Sequence, residues 1–154
     1  MELNKFSQRL KELMEEYGIS RKDLSLQVGI DRKCVRLWIS GKNFPKYTTL
    51  IKLAKYFHVR IDYLVGIEDD IMSAESECEI FDSIEEVSSK FSAALKMYMN
   101  EKGLTVYAMA KKLRIDQKAL KKWLVVGSMP ETAILIRLSK LMNISIHKML
   151  GLEK

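Results

Sequence analysis

Cysteine is nearly absent: Cys34 and Cys78 are too few in 154 residues for a disulfide framework, and neither has a second cysteine or a histidine at metal-ligand spacing. A reducing cytoplasm fits that usage, and no metal site is expected. Histidine is as scarce. His58 and His147 are read between the fourth and fifth helices of their respective halves, and neither keeps a nucleophilic or acidic partner at a readable spacing. An enzyme reading therefore has little support, and no cofactor is expected. Long apolar runs are missing too: stretches such as Ala133 to Ile136 stop far short of the roughly 20 residues that cross a bilayer. The start Met1-Glu2-Leu3-Asn4 opens no basic-then-apolar leader. The expectation is a cytoplasmic protein without a membrane partner. What remains is 47% hydrophobic and 30% charged, which excludes disorder and collagen. With 26 Lys and Arg against 20 Asp and Glu, a polyanion is a more natural partner than a cation.

An internal repeat organises the chain. Shifted by 85 positions, Phe6 to Glu68 lies without gaps on Phe91 to Glu153, pairing Phe6 with Phe91, Leu10 with Leu95, Gly18 with Gly103, Trp38 with Trp123, Pro45 with Pro130, Leu50 with Leu135 and Gly66 with Gly151. These are apolar and turn residues, the types that decide burial and chain reversal. Two copies of one small fold follow. Charge separates the copies from what joins them. Residues 1–68 carry 13 basic and 8 acidic side chains, residues 69–90 carry 1 and 8, and residues 91–154 carry 12 and 4. The expected organisation is a first domain over 1–68, an acidic linker over 69–82, and a second domain over 83–154 whose first helix is extended.

The apolar spacing is helical throughout, interrupted at short intervals by glycine or proline, so an all-α fold with about five helices per copy is predicted. Phe6, Leu10, Leu13 and Met14 mark a helix that Gly18 stops. Ser20 and Asp31 can cap a second and a third, with Gly29 supplying the turn between them. Gly41 and Pro45 shape a loop before a fourth helix, and Ile61, Leu64 and Val65 suit a short fifth. In the second copy Thr105 and Asp116 take the capping places, and Ser83 with Glu86 spells a capping box for the extended first helix.

A short helix, a glycine turn and a second short helix ending in a buried aromatic is an arrangement that presents one helix to the DNA major groove. The series Gly18-Ile19-Ser20, Leu24, Gly29-Ile30-Asp31, Val35, Trp38, Gly41, Pro45, Leu50 to Ala54, Val59, Ile61, Leu64 and Gly66 resembles the Cro-type or XRE helix-turn-helix domain, the lambda repressor-like fold of bacterial and phage repressors. Residues 91–152 resemble it as well. The resemblance implies two tandem five-helix bundles whose third helices, 32–40 and 117–125, are recognition helices. Helical geometry agrees: Cys34, Val35 and Trp38 fall on one side of the third helix, Arg32, Lys33 and Arg36 on another. Arg32 and Arg36 are candidates for guanine, Lys33 for base or phosphate, and Leu37 for a thymine methyl. The second copy offers Gln117, suited to adenine, with Lys118, Lys121 and Lys122. Arg21, Lys42, Asn43, Lys46, Tyr47 and Thr48 are the candidate phosphate contacts.

The copies depart from the family pattern at named places. Arg21 and Val106 stand where glutamine is usual, and Ile39 and Leu124 where an acidic residue often follows the tryptophan. Arg114 replaces the turn glycine that Gly29 provides, and a positive φ there would cost roughly 1 kcal/mol. Double-stranded DNA is the expected partner, bound by a homodimer or by an intramolecular pseudo-dimer. Fourteen residues from 69 to 82 reach up to about 46 Å, against about 34 Å between half-sites one turn apart. The alternative is a helical interaction module, adaptor-like or antitoxin-like, in which the second copy binds protein.

Overall fold

The computed structural model describes residues 2–68, 84–125 and 128–151. The acidic segment 69–82, Cys78, Ser83 with the capping box expected of it, and the pair Val126-Gly127 lie outside them. Every element among the described residues is α-helical. The chain divides into two compact units, Met1–Cys78 and Glu79–Lys154. The first holds α1 (Glu2–Tyr17), α2 (Arg21–Val28), α3 (Arg32–Ile39), α4 (Tyr47–Phe57) and α5 (Ile61–Leu64). The second holds α6 (Ile84–Lys102), α7 (Val106–Leu113), α8 (Gln117–Val125), α9 (Thr132–Met142) and α10 (Ile146–Met149).

Each unit is built around the stripe that its first helix presents. Phe6, Leu10, Leu13 and Met14 recur at the spacing that lines one face of a helix, and all four are buried. Against them close α3 and α5, with α2 and α4 completing the bundle. The repeat holds residue by residue in the core. Phe6, Leu10, Leu24, Val35, Leu50, Leu53 and Ile61 are fully buried, and so are their partners 85 positions on, Phe91, Leu95, Met109, Leu120, Leu135, Leu138 and Ile146. Each such side chain stabilises its unit by about 1.5–3 kcal/mol. The swap of Leu24 for Met109 changes shape within similar volume, the kind of substitution cores tolerate, whereas Leu120 is larger by one methylene than Val35.

A polar tie is duplicated as well. The Ser7 hydroxyl donates to the Ile39 carbonyl, and the Ser92 hydroxyl to the Leu124 carbonyl at 3.0 Å. In both units the first helix thereby satisfies one of the open carbonyls that end the third. The third helix is held at a fixed height on the bundle.

The turns behave as their residues require. Gly18 and Gly29 take φ of 63° and 74°, and neither would meet anything if it had a side chain, so conformation alone selects glycine there. Arg114 adopts the same left-handed region at φ 57° as the C-cap of α7. Replacing it with glycine is expected to raise the stability of the second unit by about 1 kcal/mol, read as a shift of the denaturant midpoint at constant slope. Gly66 is constrained twice: its φ is 93°, and an added Cβ would stand 2.5 Å from Lys5 Cβ. Gly66→Ala should therefore lower the first unit's stability by more than about 1 kcal/mol, by the same measurement.

One of the two histidines differs from the sequence reading. His58 is the left-handed C-cap of α4 and is exposed, as a residue between helices should be. His147 is not between helices: it lies inside α10 and is 1% exposed. The repeat explains the difference. The counterpart of His58 is Asn143, the left-handed cap of α9, whereas His147 occupies the position of Asp62, itself fully buried.

Candidate nucleic-acid interface

Local hydrogen bonds fix α2 and α3 of the first unit relative to each other. At the start of α2 the Asp23 amide donates to the Ser20 hydroxyl at 3.1 Å while the Ser20 amide donates to the Asp23 carboxylate at 3.0 Å, a reciprocal capping box. The Ser20 amide, then the Ser20 hydroxyl, hold the Asp23 carboxyl below its ordinary value of 3.8, and the Lys22 charge adds to the effect. That carboxylate supports the helix start above the ordinary value, and its support is lost as pH falls through the lowered one. At the other end the Gly29 and Ile30 amides both donate to the Ser25 carbonyl, at 2.9 and 3.1 Å, and the Ser25 hydroxyl donates to the Ile30 carbonyl. Asp31 then opens α3 by accepting from the Lys33 amide at 2.9 Å. The two helices are joined by a turn with its polar groups matched.

Burial orients α3. Val35 is fully buried and Trp38 is 5% exposed, its ring edge-on to Phe6 at 6.5 Å between centroids. Arg32, Lys33 and Arg36 consequently face outward and are exposed, and Leu37 beside them is half-buried. These three cations meet the start of α2 across a cleft of about 660 Å³ lined by Ser20, Arg21, Lys22, Arg32, Lys33 and Arg36. Five cations line it and no carboxylate among the described residues does. Asp23 and Asp31, the nearest acids in sequence, are turned into the two helix caps. Such a concavity concentrates positive potential and attracts a polyanion.

The predicted residues divide by position. Arg21, Arg32, Lys33 and Arg36 come together in the cleft, and Lys22, not singled out from sequence, joins them. Its signal was available: it is the next residue on the first turn of α2. Lys42, Asn43 and Lys46 are exposed in the loop after α3, and Tyr47 and Thr48 are half-buried at the start of α4, outside the cleft lining. Burial raises the Tyr47 phenol above its ordinary value of 10.0. Lys46 is the N-cap of α4 and provides no side-chain bond to that first turn.

In the second unit the caps repeat. Thr105 accepts from the Ala108 amide at 3.1 Å and Asp116 from the Lys118 amide at 3.0 Å. Leu120 and Trp123 are buried, which places Gln117, Lys118, Lys121 and Lys122 on the exposed side of α8. Two positioning contacts had no local signature. The Arg9 guanidinium lies 4.3 Å over the Tyr63 ring and donates to the carbonyls of Tyr63 and Glu68, tying α1 to the end of its unit. In the second unit Arg137 donates to the Leu113 carbonyl at the end of α7. Among the described residues no group of His, Cys, Asp or Glu could hold a metal ion, and no helix is long and apolar enough to cross a membrane.

Comparison with known proteins bears on the same segments. The helix-turn-helix family matches residues 10–64 and again residues 95–149. The HTH-type transcriptional activator BcrR of Enterococcus faecalis is 30% identical over 112 residues, which cover 68% of this chain and 55% of that protein. An uncharacterized HTH-type transcriptional regulator of Archaeoglobus fulgidus is 29% identical over 62 residues, 40% of this chain and 89% of its own length. The chain thus spans about half the length of the first of these relatives. No solved structure matches it.

Proposed function

The chain belongs to the helix-turn-helix family, which it matches twice, and on that premise we propose that it is a sequence-specific DNA-binding transcription regulator. The observation that carries this is the cleft between α2 and α3, where Arg21, Lys22, Arg32, Lys33 and Arg36 converge without a lining carboxylate. In this reading α3 lies in the major groove. Arg32 and Arg36 read guanines, Lys33 serves base or phosphate, and Leu37 meets a thymine methyl. Arg21 and Lys22 take the phosphates at one edge of the groove, and Lys42, Asn43, Lys46, Tyr47 and Thr48 those at the other.

The second unit reads beside the first, through Gln117, Lys118, Lys121 and Lys122 on α8, so one chain engages two half-sites as an intramolecular pseudo-dimer. Residues 1–68 and 83–154 are the two readers and the acidic residues 69–82 the tether. Tethering makes the second contact intramolecular and raises avidity without new contacts. Repression is the direction we assign, because occupancy of a promoter by a compact reader is enough to exclude other proteins from it.

The test is selection from random duplexes with the whole chain, followed by placing the selected site across a reporter promoter. Enrichment of a two-part site and a fall in transcript are expected. No enrichment over a scrambled duplex would remove the reading, and a rise in transcript would reverse the direction. A second reading, a protein-binding module, draws on Met97, Tyr107 and Val125, which are 63%, 61% and 80% exposed in the second unit. It is separated from the first by its response to salt.

A further inference from the structure

The two units share a backbone but not a chemistry at the face that matters. The caps at Ser20 and Thr105, the caps at Asp31 and Asp116, and the ties from Ser7 and Ser92 repeat at a spacing of 85. The positions that correspond to the lining of the cationic cleft are Thr105, Val106, Tyr107, Gln117, Lys118 and Lys121. Five cations become two. Arg21 is replaced by Val106, which is half-buried, and Lys22 by Tyr107, which is 61% exposed. A phenol ring left that open contributes little to its own core and is available to a partner outside it.

The cations of the second helix have moved to its far end. Lys111 and Lys112 stand in the last turn of α7 and Arg114 caps it, where they complement the helix dipole. Its first turn offers a tyrosine and a valine instead. On α8, Gln117 holds the position of Arg32. Arginine matches the paired acceptors of guanine, whereas an amide matches the donor and acceptor of adenine. Among the major-groove edges only thymine presents a methyl group, and it comes with adenine as its pair. An amide at the start of α8, with an aromatic and an aliphatic residue on the first turn of α7, is complementary to both members of an A·T pair.

We propose that the operator is asymmetric, with a half specified by G·C under α3 and a half specified by A·T under α8, and that Tyr107 with Gln117 sets the second specificity. This rests on the DNA reading above. Gln117 takes adenine; Tyr107 and Val106 pack against thymine methyls, with the Tyr107 hydroxyl left to reach a phosphate. The first unit supplies most of the electrostatic grip and the second most of the apolar contact.

The experiment uses the full chain throughout. Selection from random duplexes is expected to return two unlike half-motifs, one holding guanines and one holding A·T pairs. In the second half, deoxyuridine in place of thymidine removes only the methyl group and should weaken binding about fourfold per methyl. With Tyr107→Ala that penalty should shrink at the methyl the ring covers, which a merely structural tyrosine would not cause. Gln117→Arg should change the selected base from adenine to guanine while the first half-motif stays the same. Both residues are exposed, so an unchanged thermal melt is expected to accompany these effects. A second half-motif that is guanine-specified in the unaltered chain, or absent, or indifferent to uridine and to Gln117→Arg, overturns the asymmetry and leaves the DNA reading in place. Selection that returns nothing overturns both.

Discussion

The affinity of the chain for its selected duplex is expected to fall on the order of a thousandfold between 50 and 200 mM salt. Each phosphate neutralised by a lysine or arginine releases condensed counterions, and the slope of log affinity against log salt is about −0.9 per phosphate. The first unit alone provides Arg21, Lys22, Lys42 and Lys46 around α3, all exposed, and the lysines of α8 add to them. About six contacts give a slope near −5. Arg21→Ala and Lys22→Ala should each reduce that slope by about 1 and weaken all sequences alike, because phosphate contacts carry affinity without sequence. A protein contact through Met97, Tyr107 and Val125 would behave differently. Burial of apolar side chains hardly responds to this range of salt, so a flat slope would favour the interaction module over the regulator. The measurement is a titration by fluorescence anisotropy at four or five salt concentrations.

What the sequence made legible, and what it did not, divides along the range of the interactions involved. Ser20, Asp31, Thr105 and Asp116 were readable as caps because each bonds an amide two or three residues away. The outward face of α3 was readable because Val35 and Trp38 commit the opposite face to the core. The positive φ of Arg114 followed from its alignment with Gly29. Contacts across the fold left no such trace. Arg9 reaches carbonyls 54 and 59 residues away, and nothing near it in sequence distinguishes it from an exposed helical arginine. Arg137 reaches Leu113 in the same way. The place of His147 inside α10 follows from the repeat and not from its likeness to His58, since the repeat aligns His147 with Asp62 and His58 with Asn143. Lys22 shows a subtler limit. The sequence sets two cations side by side on the first turn of α2, and the packing of α2 on α3 places both in the cleft with Arg32 and Arg36.

Arg36→Ala and Arg32→Ala should each relax discrimination at one base pair of the first half-site by about 1–3 kcal/mol, or roughly 5- to 150-fold in relative affinity. The expected signature is local. Affinity for the preferred duplex drops, affinity for a duplex changed at the contacted guanine stays nearly the same, and the preference at other positions is kept. Neither change should disturb the fold, because both side chains are exposed and the core contacts of α3 belong to Val35 and Trp38. The lysine variants sharpen the test. Arg36→Lys keeps the charge but loses the planar fork that bonds two acceptors at once, so it should retain the salt slope and still lose selectivity. If selectivity survives the lysine change, charge rather than geometry is the attraction, and Arg36 belongs with the phosphate contacts. If it survives both alanine changes, the outward face of α3 is not the face that enters the groove.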